Sequence, residues 1–149
     1  MSENAIPDTS AGSAEPSAST ERPLAPALLR GWRQRCPNCG GGPMMSSYLK
    51  VRQTCAACGE ELHHHRADDM PAWATIMIVG HLLVSGLLTV ETSFHPPLWV
   101  HWSIWPVATL GATLWLLPHV KGAVIAFQWA KRMHGFDDRA QALADRPRA

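Results

Sequence analysis

The chain contains four cysteines, arranged as two Cys-x-x-Cys pairs. A glycine follows each pair, and fifteen residues separate the two pairs. Four thiolates at this spacing match a tetrahedral zinc site, and a glycine after each pair permits the tight turn from which two sulfurs reach one ion. The pattern therefore predicts one zinc site, with the ligands Cys36, Cys39, Cys55 and Cys58.

Two other uses of these cysteines stay open at this point. Two disulfides would need an oxidising compartment, but no basic start followed by an apolar core precedes the pairs as an export signal. A redox-active Cys-x-x-Cys is expected to open a helix in an α/β unit, whereas both pairs here are predicted on turns. Zinc explains all four cysteines at once.

Three successive histidines followed by two aspartates form a second candidate group. Neighbouring side chains do not face each other on a helix and they alternate on a strand, so at most two of the histidines can share a metal. Carboxylates beside histidines also support hydrolysis, although no nucleophile accompanies them here. The other interpretation is a polar linker whose aspartates cap the next helix, which has Pro71 in its first turn. The residues of this candidate secondary site are His63, His64, His65, Asp68 and Asp69.

A third group consists of His81, Glu91 and His101, which lie in otherwise apolar segments. Ionisable groups within a membrane span are costly and indicate function by default. If the turn between the segments is centred near Pro96, Glu91 and His101 lie at similar depth and can form a hydrogen-bonded pair. The alternatives are a haem or copper ligand, a proton relay, a polar contact to a partner, and a neutral histidine hydrogen-bonded across the hairpin.

The apolar segments predict a transmembrane hairpin over residues 67–117, with helices at about 71–94 and 98–117. Lysine and arginine are absent from residues 67–120. About 20 residues at about 1.5 Å each span a hydrocarbon core of about 30 Å. Tryptophans at both ends match interfacial aromatic belts, and the basic residues on both flanks place both termini in the cytoplasm. That reducing location favours metal over disulfides.

The N-terminal side of the hairpin divides into a tail and a head. Residues 1–26 are polar, lack an apolar run and are predicted to form a disordered tail. Residues 30–66 are predicted to form a zinc-ribbon-like head, preceded by an amphipathic turn at residues 25–34. Trp32 in this turn is expected either at the membrane surface or packed on the head. The net charge of +1, with basic residues divided between the two ends, does not indicate nucleic-acid binding.

On the C-terminal side, residues 118–136 are predicted to form an amphipathic helix. It either lies in the membrane interface or extends the second span beyond a bend at Pro118. Residues 137–149 form a charged tail. The predicted fold class is therefore a mainly α membrane protein with a zinc-ribbon-like head, a two-helix transmembrane hairpin and a C-terminal amphipathic helix.

The succession of motifs resembles the family called domain of unknown function 983. The motifs RCPNCG, CAACG, HHRADDMPAW, HPPLW and FQWAKRMHGF extend over residues 35–136. The resemblance implies a small, multi-pass protein of the bacterial inner membrane with a cysteine-rich head and no established activity. It also implies a link to haem–copper oxidase assembly, because genes of the family often lie beside genes for that process. The chain departs at Leu117, where a basic residue is expected, and Lys121 becomes the first basic anchor.

The leading hypothesis is a membrane-anchored zinc-ribbon adaptor or assembly factor that acts through protein–protein interaction and is not an enzyme. Zinc would fold a head that is too small to have its own core. The expected partners are membrane lipid and a membrane protein, and the resemblance implies a respiratory oxidase or its assembly machinery. One alternative is a protein that handles metal or haem through the intramembrane histidines. Another is a membrane metal-dependent enzyme that uses the histidine and aspartate group.

Overall fold

The computed structural model describes residues 22–136, and helices make up more than half of them. The helices are α1 (Leu24–Trp32), α2 (Met70–Phe94) and α3 (Leu98–Ala130). The predicted tails at 1–26 and 137–149 lie outside the described residues, except for residues 22–26.

Those five residues differ from the predicted tail. Pro23 is the N-cap of α1, and the helix starts at the next residue. Arg22 Nη1 donates to the backbone carbonyl oxygens of Trp129 at 2.9 Å and Phe136 at 3.2 Å. The Arg22 guanidinium also lies 4.5 Å from the centre of the Trp129 ring, a cation–π distance. The tail prediction was too long at this end because the stabilising partners are about a hundred residues away in the sequence.

The head, residues 33–69, lies between α1 and α2. Its backbone pairing consists of isolated antiparallel bridges, and regular strands are absent from residues 22–136. The bridges join Arg35 to Pro43, Met45 to Val51 and Thr54 to Glu61. The middle bridge closes the hairpin between the two cysteine pairs, where the N–H of Ser46 also donates to Lys50 O at 2.7 Å.

Helices α2 and α3 form an antiparallel hairpin with a short turn. His95, at φ 44°, ends α2 in the left-handed region, and its N–H donates to Glu91 O at 3.1 Å. Pro96 and Pro97 then follow, and proline cannot supply the N–H that would continue the helix. Both helices are long and apolar enough to cross a membrane. Only 11% of the most apolar stretch of α2 is buried in the fold, so most of its apolar surface is open.

Helix α3 is continuous through Pro118, where the sequence predicted a boundary. Its 33 residues correspond to about 50 Å at about 1.5 Å per residue, compared with a bilayer hydrocarbon core of about 30 Å. Of the two predicted arrangements for residues 118–136, the structure has the extension, as far as Ala130. Seven of the eight buried residues of α3 lie in this extension, from Pro118 to Trp129.

Pro118 creates an acceptor that the head uses. A proline at this position cannot donate to Leu114 O, the carbonyl four residues earlier. Tyr48, at the tip of the head hairpin, donates its hydroxyl to that carbonyl oxygen. Beside it, Lys121 Nζ donates to Leu49 O at 2.8 Å. The tip of the head is therefore attached to α3 by two hydrogen bonds to main-chain oxygens.

We predict that Tyr48→Phe destabilises the docked head by about 1 kcal/mol, the usual net value of one hydrogen bond. In a Pro118→Ala background, the new N–H of residue 118 can satisfy Leu114 O, so Tyr48→Phe should have a smaller effect there. The measurement is the amide exchange of residues 46–50 in the two single variants and the double variant. Strictly additive effects would show that the carbonyl freed by Pro118 is not what Tyr48 recognises.

Helix α1 crosses α3 at two facing glycines. A Cβ on Gly31 would lie 2.4 Å from Gly122 O, and a Cβ on Gly122 would lie 2.1 Å from Gly31 O. Such separations are too short for any side chain, so the two backbones are in direct contact. Trp32, at the end of α1, packs its ring against His119 of α3, with centroids 5.4 Å apart. The helix extension is thus a third location for Trp32, beyond the two that the sequence suggested.

Head, α1 and α3 share one apolar core. Gln128 of α3, which is 5% exposed, fixes the head to this core by pairing with the backbone of Arg66. Its Oε1 accepts from Arg66 N at 3.0 Å and its Nε2 donates to Arg66 O at 2.9 Å. The buried members of the core are Ala27, Cys36, Met44, Cys55, Leu62, Ala67, Ile125, Trp129 and Phe136. The head supplies five of these nine residues and α3 supplies two, so the head packs against the helix extension and does not enclose a core of its own.

Candidate metal centre

The four cysteine sulfurs converge on one point. Cys36 Sγ lies 3.7 Å from Cys58 Sγ, and Cys39 Sγ lies 3.8 Å from Cys55 Sγ. All four sulfurs lie within 4.8 Å of one another. In a tetrahedron with Zn–S bonds of about 2.3 Å, the sulfurs are about 3.8 Å apart. A disulfide needs about 2.05 Å, so the observed spacing fits a tetrahedral metal ion and not two cystines.

Two equivalent turns hold the sulfurs. Gly40 N donates to Cys36 O, and Gly59 N donates to Cys55 O, each at 2.9 Å. Both glycines have positive φ, 69° at Gly40 and 74° at Gly59, as the sequence predicted for the residue after each pair. Each cysteine pair therefore closes a single tight turn, and the two turns face each other across the site.

The environment shifts the pKa values of Cys36, Cys39 and Cys58 in different directions. Backbone N–H groups of Gly42 and Gly41 stabilise the Cys39 thiolate and lower its pKa to about 6; Gly41 N lies 3.3 Å from Cys39 Sγ. Burial raises the pKa of Cys36, and desolvation likewise raises the pKa of Cys58. Above about pH 6 Cys39 would thus offer a thiolate to an entering ion, whose charge would favour loss of the protons of Cys36 and Cys58.

A test of the site geometry comes from two neighbouring glycines. A Cβ on Gly42 would lie 2.7 Å from Cys55 Sγ, whereas a Cβ on Gly41 would find only ordinary contacts at 3.7 Å and beyond. Gly42→Ala should therefore weaken zinc binding by at least about tenfold, since a displaced ligand costs at least that much. Gly41→Ala is the matched control and should bind zinc like the parent protein. Competition with a zinc indicator measures both, and equal affinities would contradict the geometry.

Glu60 connects the cysteine site to α3. Its Oε2 accepts from Asn38 Nδ2 of the first turn at 2.9 Å, and its Oε1 accepts from Trp129 Nε1 at 2.6 Å. One carboxylate therefore joins both cysteine turns to the helix extension. No sequence pattern indicates the pairing of Glu60 with Trp129, because 69 residues separate them and neither belongs to a ligand motif.

The candidate secondary site is divided by the structure. His63 and His64 lie together beside Glu61, which was not among the residues predicted for this site. His65 is separate, with its Nδ1 2.7 Å from Leu62 O. Asp69 occupies the N-cap position of α2, as expected, but its side chain makes no capping hydrogen bond. Asp68 and Asp69 do not belong to the histidine cluster.

The intramembrane candidates also separate into two groups. His101 Nε2 lies 2.9 Å from Glu91 Oε2, the contact expected across the turn. Trp105 Nε1 donates to His101 Nδ1 at 2.9 Å, so both ring nitrogens of His101 are engaged. His81 lies ten residues before Glu91 on the same helix, about 15 Å along its axis, and its Nδ1 is 2.7 Å from Met77 O. The three residues do not converge on one ligand.

Fold and site together define a class: a helical hairpin whose second helix is extended to carry a four-cysteine head. The chain belongs to the family described as protein of unknown function DUF983, whose sequence profile matches residues 45–129. This match covers more than half of the 149 residues and includes Cys55 and Cys58; the first cysteine pair precedes it. Searches of the curated proteins and of the solved structures returned no match.

Proposed function

We propose that this protein is a zinc-containing membrane adaptor that acts by holding another membrane protein at the cytoplasmic face of a bacterial inner membrane. The observation that carries the proposal is the attachment of the four-cysteine head to the extension of an apolar helix. A head fixed in this way cannot rotate freely, so it presents one face at a defined height above the hairpin.

The open apolar surface of the hairpin supports membrane insertion. Side chains in the middle of both helices are largely exposed, among them Leu82 at 68% and Val107 at 71%. A contiguous apolar surface of this extent is not stable in water and needs lipid or protein around it. Large exposed tryptophans occur at both ends, including Trp73 and Trp115 near the head and Trp102 near the turn. This distribution matches the two aromatic belts of a membrane protein.

Orientation follows from charge. Lys121 follows the apolar part of α3 and contacts the head, and the arginines of α1 and the head lie at the same end. Basic residues next to a span favour the cytoplasmic side, so head and helix extension would both lie in the cytoplasm. In that reducing compartment the thiols stay available for zinc, which closed four-cysteine sites select and hold structurally.

Non-enzymatic action is supported by the ligand set. Four thiolates complete the zinc coordination and leave no open position for a substrate or a water molecule. The exposed surface of the second cysteine turn, at Ala56 and Ala57, is then a natural contact for a partner. We propose that this partner is a membrane protein, and the family resemblance suggests a haem–copper oxidase or its assembly machinery.

The test places a photo-crosslinking amino acid at Ala57 in intact cells, with Leu110 in the apolar hairpin as a second position. The expected result is a discrete adduct from Ala57 that contains an oxidase subunit or assembly factor and disappears when Cys55 is replaced by serine. Alkaline extraction of membranes should leave the protein in the pellet. An adduct that is independent of the zinc site, or extraction of the protein without detergent, would refute the proposal.

A further inference from the structure

The turn after the second cysteine pair brings three metal-binding side chains together outside the four-cysteine site. One ligand atom from each of Glu61, His63 and His64 lies within 4.8 Å of the other two. Glu61 Oε2 is 2.9 Å from His64 Nε2, and the rings of His63 and His64 have centroids 3.9 Å apart. This cluster has no part in the zinc adaptor function proposed above.

Adjacent histidines can converge here because they lie in a turn. Residues 63 and 64 belong to neither a helix nor a strand, so the rules that separate neighbouring side chains do not apply. Leu62, which is fully buried, anchors the turn, and its N–H donates to Gln53 O at 2.7 Å. His65 is kept out of the cluster by its contact with Leu62 O.

We propose that Glu61, His63 and His64 bind a second divalent transition-metal ion, separate from the four-cysteine site. Two imidazoles and one carboxylate are the protein ligands of open zinc sites, in which water fills the fourth position. Cobalt, nickel and copper ions suit the same nitrogen and oxygen donors. The sulfur site, by contrast, is closed.

The ligand atoms of Glu61, His63 and His64 are close enough together to bind one such ion. Ligand atoms on a tetrahedron with bonds of about 2.0 Å are about 3.3 Å apart, which falls between the 2.9 Å contact and the 4.8 Å limit of the cluster. Glu61 and His63 are exposed, so small rotations of their side chains can complete the coordination. Exposure also makes the bound ion exchangeable, unlike an ion enclosed by four cysteines.

An adjoining cavity provides room for the open position. Its volume is about 250 Å³, enough for several water molecules or a small anionic ligand of the metal. Glu61 and His64 line it together with Cys58, Glu60, Gly135 and Phe136. Since Cys58 is also a ligand of the sulfur site, the second ion would lie next to the first.

The experiment titrates Zn²⁺ into the full-length, tag-free protein in detergent with the cysteine site already filled. We expect one further equivalent with micromolar affinity, which dialysis against a weak chelator removes while the first zinc stays. Co²⁺ at the second site should give d–d bands without thiolate charge-transfer absorption, because its ligands are nitrogen and oxygen.

Matched variants assign the second equivalent. His63→Ala and Glu61→Gln should each weaken it by at least about tenfold and leave the first zinc in place. His65→Ala, from the same histidine tract, should leave both equivalents unchanged. The proposal is overturned if the parent protein binds no second equivalent at submillimolar zinc, or if His65→Ala weakens it as much as His63→Ala does.

Discussion

Replacing Cys55 by serine should abolish zinc binding at the four-cysteine site and unfold the two cysteine turns, while the α2–α3 hairpin stays helical. Cys55 is 3% exposed, its sulfur lies 3.8 Å from that of Cys39, and it belongs to the core shared with α3. Structural zinc contributes about 10–16 kcal/mol to the folding of small zinc domains. The isolated bridges in the head cannot compensate for the loss of that much folding free energy. We therefore expect this to be the most damaging single substitution in the head.

Two measurements check this outcome: the zinc content per chain and the amide exchange of residues 35–61. The zinc that remains after dialysis against a weak chelator should fall from one equivalent to near zero, and protection of these residues should be lost. Ala56→Ser, at the neighbouring exposed position, introduces the same residue without touching a sulfur and should change neither quantity. Retention of one zinc by Cys55→Ser, with normal protection, would show that this cysteine is not a ligand.

Gly122→Ala should detach α1 from α3 and destabilise the assembled head by about 1–3 kcal/mol or more, the usual cost of overpacking. The added Cβ would lie 2.1 Å from Gly31 O, and the atom that would have to move is main chain. Alanine is a better helix former than glycine by about 1 kcal/mol, which favours the variant, but the clash prevents the native crossing altogether. The steric term should therefore dominate.

Gly111→Ala is the matched control on the same helix. A Cβ there meets no atom within 4 Å, so this substitution should leave stability unchanged or raise it slightly. Amide exchange of residues 24–32 and thermal unfolding in detergent distinguish the two variants. If both behave alike, helix propensity governs this region and the close crossing of α1 and α3 is not what holds the head.

Local chemistry explains which features were predictable from residue types and spacing. Four cysteines in two pairs determine a tetrahedral set of sulfurs, and a glycine after each pair has the positive φ that a tight turn needs. The contact of Glu91 with His101 was also predictable, because a short turn of known position places both residues at one depth. The two cysteines of each pair are three residues apart, and Glu91 and His101 lie on either side of one short turn.

Other features depend on contacts that no local pattern contains. Pro118 signals a helix break in the sequence, yet α3 continues, because the head and α1 both pack on the extension and Tyr48 satisfies the freed carbonyl. At most two of the three histidines were expected to share a metal, and His63 and His64 do lie together. Which two was not predictable, because these residues lie in a turn next to the buried Leu62 and belong to neither a helix nor a strand.

The sequence by itself determined the four-cysteine cluster and the apolar hairpin with its basic flanks, since these depend on residue type and on periods of a few residues. Tertiary structure alone decided where the head lies. The crossing at Gly31 and Gly122 and the contact of Glu60 with Trp129 join residues that are 69 or more positions apart. No fixed spacing in the sequence relates such pairs. They are brought together in the folded protein by complementary shape and by the need to satisfy buried hydrogen-bonding groups.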